Sequence, residues 1–233
     1  MSTPLIAQAF WFRLSVRCPR IDGLPRTGTQ GRLLDLPAES ALPETARLGG
    51  DAPWAEVRVA WNPGGLAVQI QTEGTSASVG SGDRPEGIDG LQVWVDTRDT
   101  RNVSRATRFC HRFVAKLATQ GPRSPLSVAV SQKAIARAVA DAPLSRSETI
   151  SARVERLRSG WRMELFLPAD VLNGFDPETN RRLGFAYQVS DSELPDQFLT
   201  VGREFPIGEN PSLWATLELQ DAVEAKGSRS RKG

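Results

Sequence analysis

The sequence predicts an all-β chain, an antiparallel β-sandwich of jelly-roll or immunoglobulin-like type with about ten strands. Three observations carry this. Short runs of alternating apolar and polar residues recur along most of the chain, Gly, Pro, Asn and Ser clusters separate them, and no long segment holds a helical period. The first run, Phe10 to Val16, puts Phe10, Phe12, Leu14 and Val16 on one face, and the Pro/Gly-rich stretch from Pro19 to Gly31 follows as a loop. A linker carrying Gly49 and Gly50 leads to Ala55–Trp61, which alternates cleanly. Asn62, Pro63, Gly64 and Gly65 supply turn chemistry and Leu66–Ile70 alternates again, which predicts a β-hairpin. Residues 73–87 read as a surface loop delivering the chain to Asp89–Asp96.

In that run Leu91, Val93 and Val95 share one face, and Gln92, Trp94 and Asp96 the other. After a loop over Thr97–Arg105, further strands are predicted over Arg108–Ala115, once or twice over Leu126–Ala140, and over Ile150–Leu157. The alanines of Gln132–Ala140 would suit a helix equally. Ser159 and Gly160 form a hairpin turn, answered by Trp161–Leu167; Pro168 then opens one helical turn that Gly174 ends. Leu183–Ser190 and Leu213–Leu219 complete a single domain over residues 1–220, with 221–233 as a disordered basic tail.

Composition narrows the function classes. With 29 Lys and Arg against 27 Asp and Glu, the chain has no strong electrostatic bias, and the tail cations Lys226, Arg229, Arg231 and Lys232 lack interleaved aromatics. A solvated tail is expected, with no nucleic-acid partner. Cys18 and Cys110 fit neither a disulfide framework nor a metal spacing. The apolar stretch Pro4–Val16 lacks a basic flank and is broken by Gln8 and Arg13, so neither a signal peptide nor a membrane partner is expected, and the default location is cytoplasmic.

The motifs Ala55–Trp61, Gly65-Leu66, Asp89–Asp96, Gly160–Pro168, Leu183–Asp191 and Asn210–Leu219, in that order, resemble the family 9 carbohydrate-binding modules and the wider DOMON-like sandwiches. The similarity runs over about Trp54 to Leu219. It implies a concave sheet face that clamps a sugar between aromatic rings, with carboxylate, amide and Arg groups on its hydroxyls. By position, the ligand-binding carboxylate of the central strand falls on Gln92, the neighbouring acidic position on Asp89, the amide of the late strand on Gln188, and Asp191 lies just beyond. The two ring walls are replaced by Glu86-Gly87 and Ile207-Gly208.

Candidate ligand-binding residues are therefore Asp89, Gln92, Trp94, Asp96, Gln188 and Asp191, with Arg108, His111 and Arg112 as donors from the adjacent strand. The competing reading of the Gln92, Trp94 and Asp96 stripe is a sheet surface covered by a loop. Trp54, Trp61, Trp161 and Trp214 are expected in the core. Asp96, Asp99 and Asn102 form an oxygen-rich set that would suit Ca²⁺, against which Arg98 and Arg101 would form ion pairs with the same carboxylates. His111 and Met163 as axial haem ligands are weighed against simple packing, and Glu164 with Asp191 as an acid/base pair against a cross-strand ion pair. No nucleophile elbow, triad signature or phosphate loop is present, and no resident cofactor is expected. The expected function is a non-catalytic module binding a carbohydrate or other polar small ligand. The alternative is an intracellular structural or interaction sandwich, bound to a protein partner, that has lost the sugar site.

Overall fold

The computed structural model describes residues 14–26, 31–45, 52–75, 89–118 and 125–221. Among these, eleven strands form two sheets: β1 Ser15–Cys18, β2 Ala55–Asn62, β3 Gly65–Thr72, β4 Gly90–Asp96, β5 Cys110–Ala118, β6 Ser127–Lys133, β7 Ser151–Leu157, β8 Gly160–Pro168, β9 Arg182–Ser190, β10 Gln197–Phe198 and β11 Ala215–Leu219. The larger sheet runs β1-β11-β9-β4-β5-β6, with β10 also on β9, and the smaller runs β2-β3-β8-β7. All pairings are antiparallel except β1 with β11, which is parallel. The chain is thus a β-sandwich, with one departure from the antiparallel expectation.

Alternation explains both inner faces. Val57, Val59, Trp61, Leu66, Val68, Ile70, Trp161, Met163, Leu165 and Leu167 of the small sheet meet Leu91, Val93, Val95, Phe113, Ala115, Leu183, Phe185, Tyr187 and Val189 of the large one in a single buried cluster. Their transfer from water is the main driving force for the fold. Trp61 and Trp161 are fully buried there, whereas Trp54 packs half-buried at the margin and Trp214 belongs to a separate cluster on the outer side of the large sheet. Met163 is an inter-sheet packing residue.

Several boundaries differ from the sequence reading. The first strand begins at Ser15, and residues 10–13 lie outside the described residues, as do Glu86-Gly87 and the tail from 222. β5 starts at Cys110, so Arg108 is in the preceding turn; β6 ends at Lys133, and the alanine-rich stretch after it forms turns in place of strand or helix. β5 begins where its partner β4 ends, with Cys110 opposite Asp96, whereas β6, paired only with β5, leaves it at Lys133 opposite Arg112.

The outer face of the small sheet carries the segment 31–36. Glu164 accepts the Leu33 amide at 2.5 Å and the Asp35 amide at 3.2 Å, Gln69 accepts the Leu36 amide at 2.8 Å, and Leu34 and Leu36 pack with Ala60, Ala67 and Phe166. Glu164 is therefore a tether for backbone N–H groups, although it stands opposite Arg153 in the register.

Gly90 opens the central strand at φ +138°, and a Cβ there would stand 2.2 Å from the Ala115 carbonyl oxygen. Only glycine accommodates both the backbone conformation and the neighbouring strand. Gly90→Ala is expected to lower unfolding free energy by about 2 kcal/mol or more, read as a fall in the urea midpoint at constant m.

Candidate ligand-binding face

β4 is paired on both sides, by β5 and β9, and all seven of its residues are buried. Directly paired residues share a face, so the outward set extends across the sheet in rows. One row reads Phe198, Gln188, Gln92, Val114 and Ser131 across β10, β9, β4, β5 and β6; the next reads Ala186, Trp94, Arg112 and Lys133.

From Arg112 in the second row into Gln92 and Gln188 of the first, the side chains form a hydrogen-bonded ladder. The Arg112 guanidinium donates to Gln92 Oε1 from Nε at 3.1 Å and Nη2 at 2.6 Å. Gln92 Nε2 donates to Gln188 Oε1 at 3.5 Å, and Gln188 Nε2 donates to Ser190 Oγ at 3.0 Å and Asp196 Oδ2 at 3.2 Å. Asp196 ends the ladder in an ion pair with Arg203. The two amides are buried, while Arg112 and Phe198 are half-buried and Arg203 is exposed. An acceptor on a bound molecule would thus meet the guanidinium ends and an apolar face the Phe198 ring, with Gln92 holding Arg112 and Gln188 holding Asp196.

Trp94 takes a different part from the one its alternation suggests. It is 2 % exposed, packed with Ala106, Cys110, Ile135, Ala186, Val201, Ile207 and Trp214, with the Arg112 guanidinium 5.7 Å from its ring centroid. A Cβ on Gly208 would lie 3.6 Å from the indole, so the chain crosses the ring at van der Waals distance. The position where the resemblance implies a ring wall, Ile207-Gly208, is a cover, and the reading of Trp94 as an exposed ligand platform is corrected to that of an anchor for loops.

Asp96 is likewise spent within the fold. Its Oδ1 accepts the Arg98 amide at 2.9 Å and its Oδ2 the Thr100 amide at 2.6 Å, a cap on the loop after β4, and burial raises its carboxyl pKa. Asp99 accepts from Thr216 Oγ1 and pairs with Arg101 and Arg182. The Asp–Arg alternative to calcium describes Asp99, and no group of three or more His, Cys, Asp or Glu suited to a metal ion occurs among the described residues.

Four other candidates lie apart from the ladder. His111 stands opposite Val95, on the inner face, while Arg112 is on the outer one. Its ring stacks on Phe113 at 6.1 Å, Nδ1 accepts from Gln132 Nε2 at 3.2 Å, and Nε2 faces the Asn173 carbonyl at 3.5 Å. Gln132 also donates to the Pro143 carbonyl and accepts from the Ser145 amide and hydroxyl, so this pair latches the loop after β6. Arg108 is exposed, with its guanidinium 5.0 Å from the Phe109 ring. Asp191 is buried beyond β9, where it accepts from Thr75 Oγ1 at 2.8 Å, Trp161 Nε1 at 3.5 Å and the Glu193 amide at 2.9 Å. Asp89 precedes β4, buried, and its carbonyl accepts the Leu117 amide at 2.8 Å. Sequence reasoning missed Phe198, Asp196 and Arg203, which flank or form a two-residue strand too short to show a period; their nearness to Gln188 could be found only from the pairing of β10.

The chain carries an amide and guanidinium ladder on the outer face of its large sheet, beside loops. Its fold is that of the family 9 carbohydrate-binding modules. No protein-family model and no curated protein matches the chain. Among solved structures, it is similar to a family 9 module from Caldicellulosiruptor kristjanssonii in complex with cellotriose, at 12% identity and TM-score 0.54 over 91% of this chain and 97% of that one. A second, from the same organism in complex with glucose, gives 14% identity and TM-score 0.51 over 73% and 78%. The likeness is one of fold.

His111 is the one histidine. Burial pushes its pKa down from 6.5 to about 4. The unfolded chain takes up the proton first as pH falls, so stability present above pH 6.5 is lost between about 6.5 and 4, by about 3 kcal/mol. The raised Asp96 carboxyl acts in the opposite sense, taking its proton first in the folded state. The native chain should therefore lose more stability than His111→Gln between pH 7 and 4.5, measured by urea titration at each pH.

Proposed function

We propose that this chain is a non-catalytic carbohydrate-binding module that takes a neutral sugar on the outer face of its seven-stranded sheet. The observation that carries the reading is the row Phe198, Gln188 and Gln92 with Arg112 on one side and Asp196 and Arg203 on the other. Arg112 and Arg203 donate to hydroxyls, Asp196 holds Arg203, and the Phe198 ring offers one apolar face to a pyranose. Gln92 and Gln188 are positioning residues, since their amides are occupied within the ladder. The ligands of the two similar modules, cellotriose and glucose, support a glucose-based sugar as the first to test. Glu164 and Asp191 serve backbone and side-chain donors in separate parts of the sandwich, which supports binding without hydrolysis.

A second reading, a structural or interaction sandwich without a sugar site, is favoured by one observation: the indole that would serve as a platform is covered by Ile207-Gly208. Calorimetric and thermal-shift titration with glucose and cello-oligosaccharides separates the two, because a ligand bound only by the native state raises the melting temperature. On the first reading Arg112→Ala and Phe198→Ala each weaken binding about tenfold or more. A well-folded native chain that answers no sugar supports the second.

A further inference from the structure

A cleft of about 660 Å³ lies beside the segment that covers Trp94, lined by Ser104, Arg105, Arg137, Pro206, Glu209 and Asn210. Its volume falls within the range of small-ligand sites. None of these residues belongs to the ladder; Ile207 and Gly208, packed on Trp94, separate the two.

The lining is built from fixed donors. Arg105 Nε donates to the Arg137 carbonyl at 2.7 Å and Nη2 to the Ala138 carbonyl at 3.3 Å, which orients the guanidinium while its positive charge stays at the cleft. Arg137 stands at φ +59°, a left-handed conformation that non-glycine residues seldom adopt. Its side chain is 81% exposed, and its guanidinium lies 3.6 Å from the Glu209 carboxylate. Asn210 Oδ1 is taken up by the Ser212 amide at 3.1 Å and hydroxyl at 2.7 Å, which leaves its Nδ2 as the donor end. Two guanidiniums, one amide NH₂ and one hydroxyl thus converge against a single carboxylate. This set is rich in donors and carries one net positive charge.

We infer that this cleft is a second binding site, for a carboxylate-bearing sugar of the uronic acid class. The carboxylate would pair with Arg137 and Arg105, a planar geometry that guanidinium matches with two parallel hydrogen bonds. Ring hydroxyls would donate to Glu209 and accept from Asn210 Nδ2 and Ser104. A neutral sugar lacks the carboxylate that pairs with the guanidiniums, so the cleft favours the charged sugar. That the acid is a sugar rests on the proposed carbohydrate-binding function, while the cleft shares no residue with the outer-face ladder.

The test titrates the full chain with galacturonate and digalacturonate, with glucose as the neutral control, by calorimetry at low and high salt. Galacturonate binding that weakens with salt is expected. Arg137→Asn keeps a residue type that tolerates the left-handed backbone and removes the guanidinium, and it should weaken uronate binding about tenfold or more. Glu209→Gln removes the opposing charge and should tighten it. Absence of uronate binding to the native chain overturns the inference, and so does binding that neither variant changes. A loss of uronate affinity with Arg112→Ala and not with Arg137→Asn places the acid on the sheet ladder and also overturns it, whatever glucose does.

Discussion

Burial of β4 on both faces is the constraint on which the rest of the molecule depends. A strand paired by two neighbours has its backbone satisfied, and Leu91, Val93 and Val95 enter the inter-sheet core. With the second face also covered, Gln92, Trp94 and Asp96 must find partners inside the protein, because each polar group withdrawn from water without one costs about 1–3 kcal/mol. Each finds a different solution. Gln92 enters the amide ladder, Trp94 gathers an apolar cluster, and Asp96 caps the loop that follows.

The Trp94 solution is incomplete, and magnitudes show why it holds. Its indole N–H is buried with no hydrogen-bond partner among the described residues, at a cost of about 1–3 kcal/mol. Withdrawing a ring with about 150–250 Å² of surface from water at about 25 cal/mol per Å² contributes about 4–6 kcal/mol. Packing wins, and the ring that anchors three loops cannot also present its face to a sugar. The neighbouring ladder has the reverse character: its amides are paired, and its chemistry is offered only at its ends.

Much of this was legible in the residues. Alternation located the β2–β3 hairpin, the inward set of β4 and the pairing of β7 with β8 around Gly160. It also held the information that His111 and Arg112, adjacent in one strand, face opposite sides; grouping them as donors to one ligand ignored the period of two. Arg108 lies outside its predicted strand for a different reason: β5 starts only where its partner strand β4 ends, with Cys110 opposite Asp96. Asp96 and Asp191 lie at the last turns of their strands' influence, where a carboxylate serves the loop it starts, and residue type alone cannot separate a cap from a ligand group. Phe198, Asp196 and Arg203 acquire meaning only through the pairing of β10 with β9, a tertiary fact that two residues of strand cannot announce.

Segment 196–210 is where these constraints meet. Its beginning supplies Asp196, Phe198 and Arg203 to the end of the ladder, its middle covers Trp94 with Ile207 and Gly208, and Pro206 and Glu209 face the cleft beside it. The close crossing is set by side-chain size: at Gly208 a methyl group would just fit, while an aromatic ring would lift the chain off the indole. A ring wall at this position and a packed Trp94 are therefore mutually exclusive. With the small residues present, the centre of the face is filled by protein, and the polar groups that can still meet a ligand are displaced to either side of the cover. Recognition by this chain, on the proposed readings, depends more on guanidiniums fixed by the loops around the sheet than on stacking over its middle.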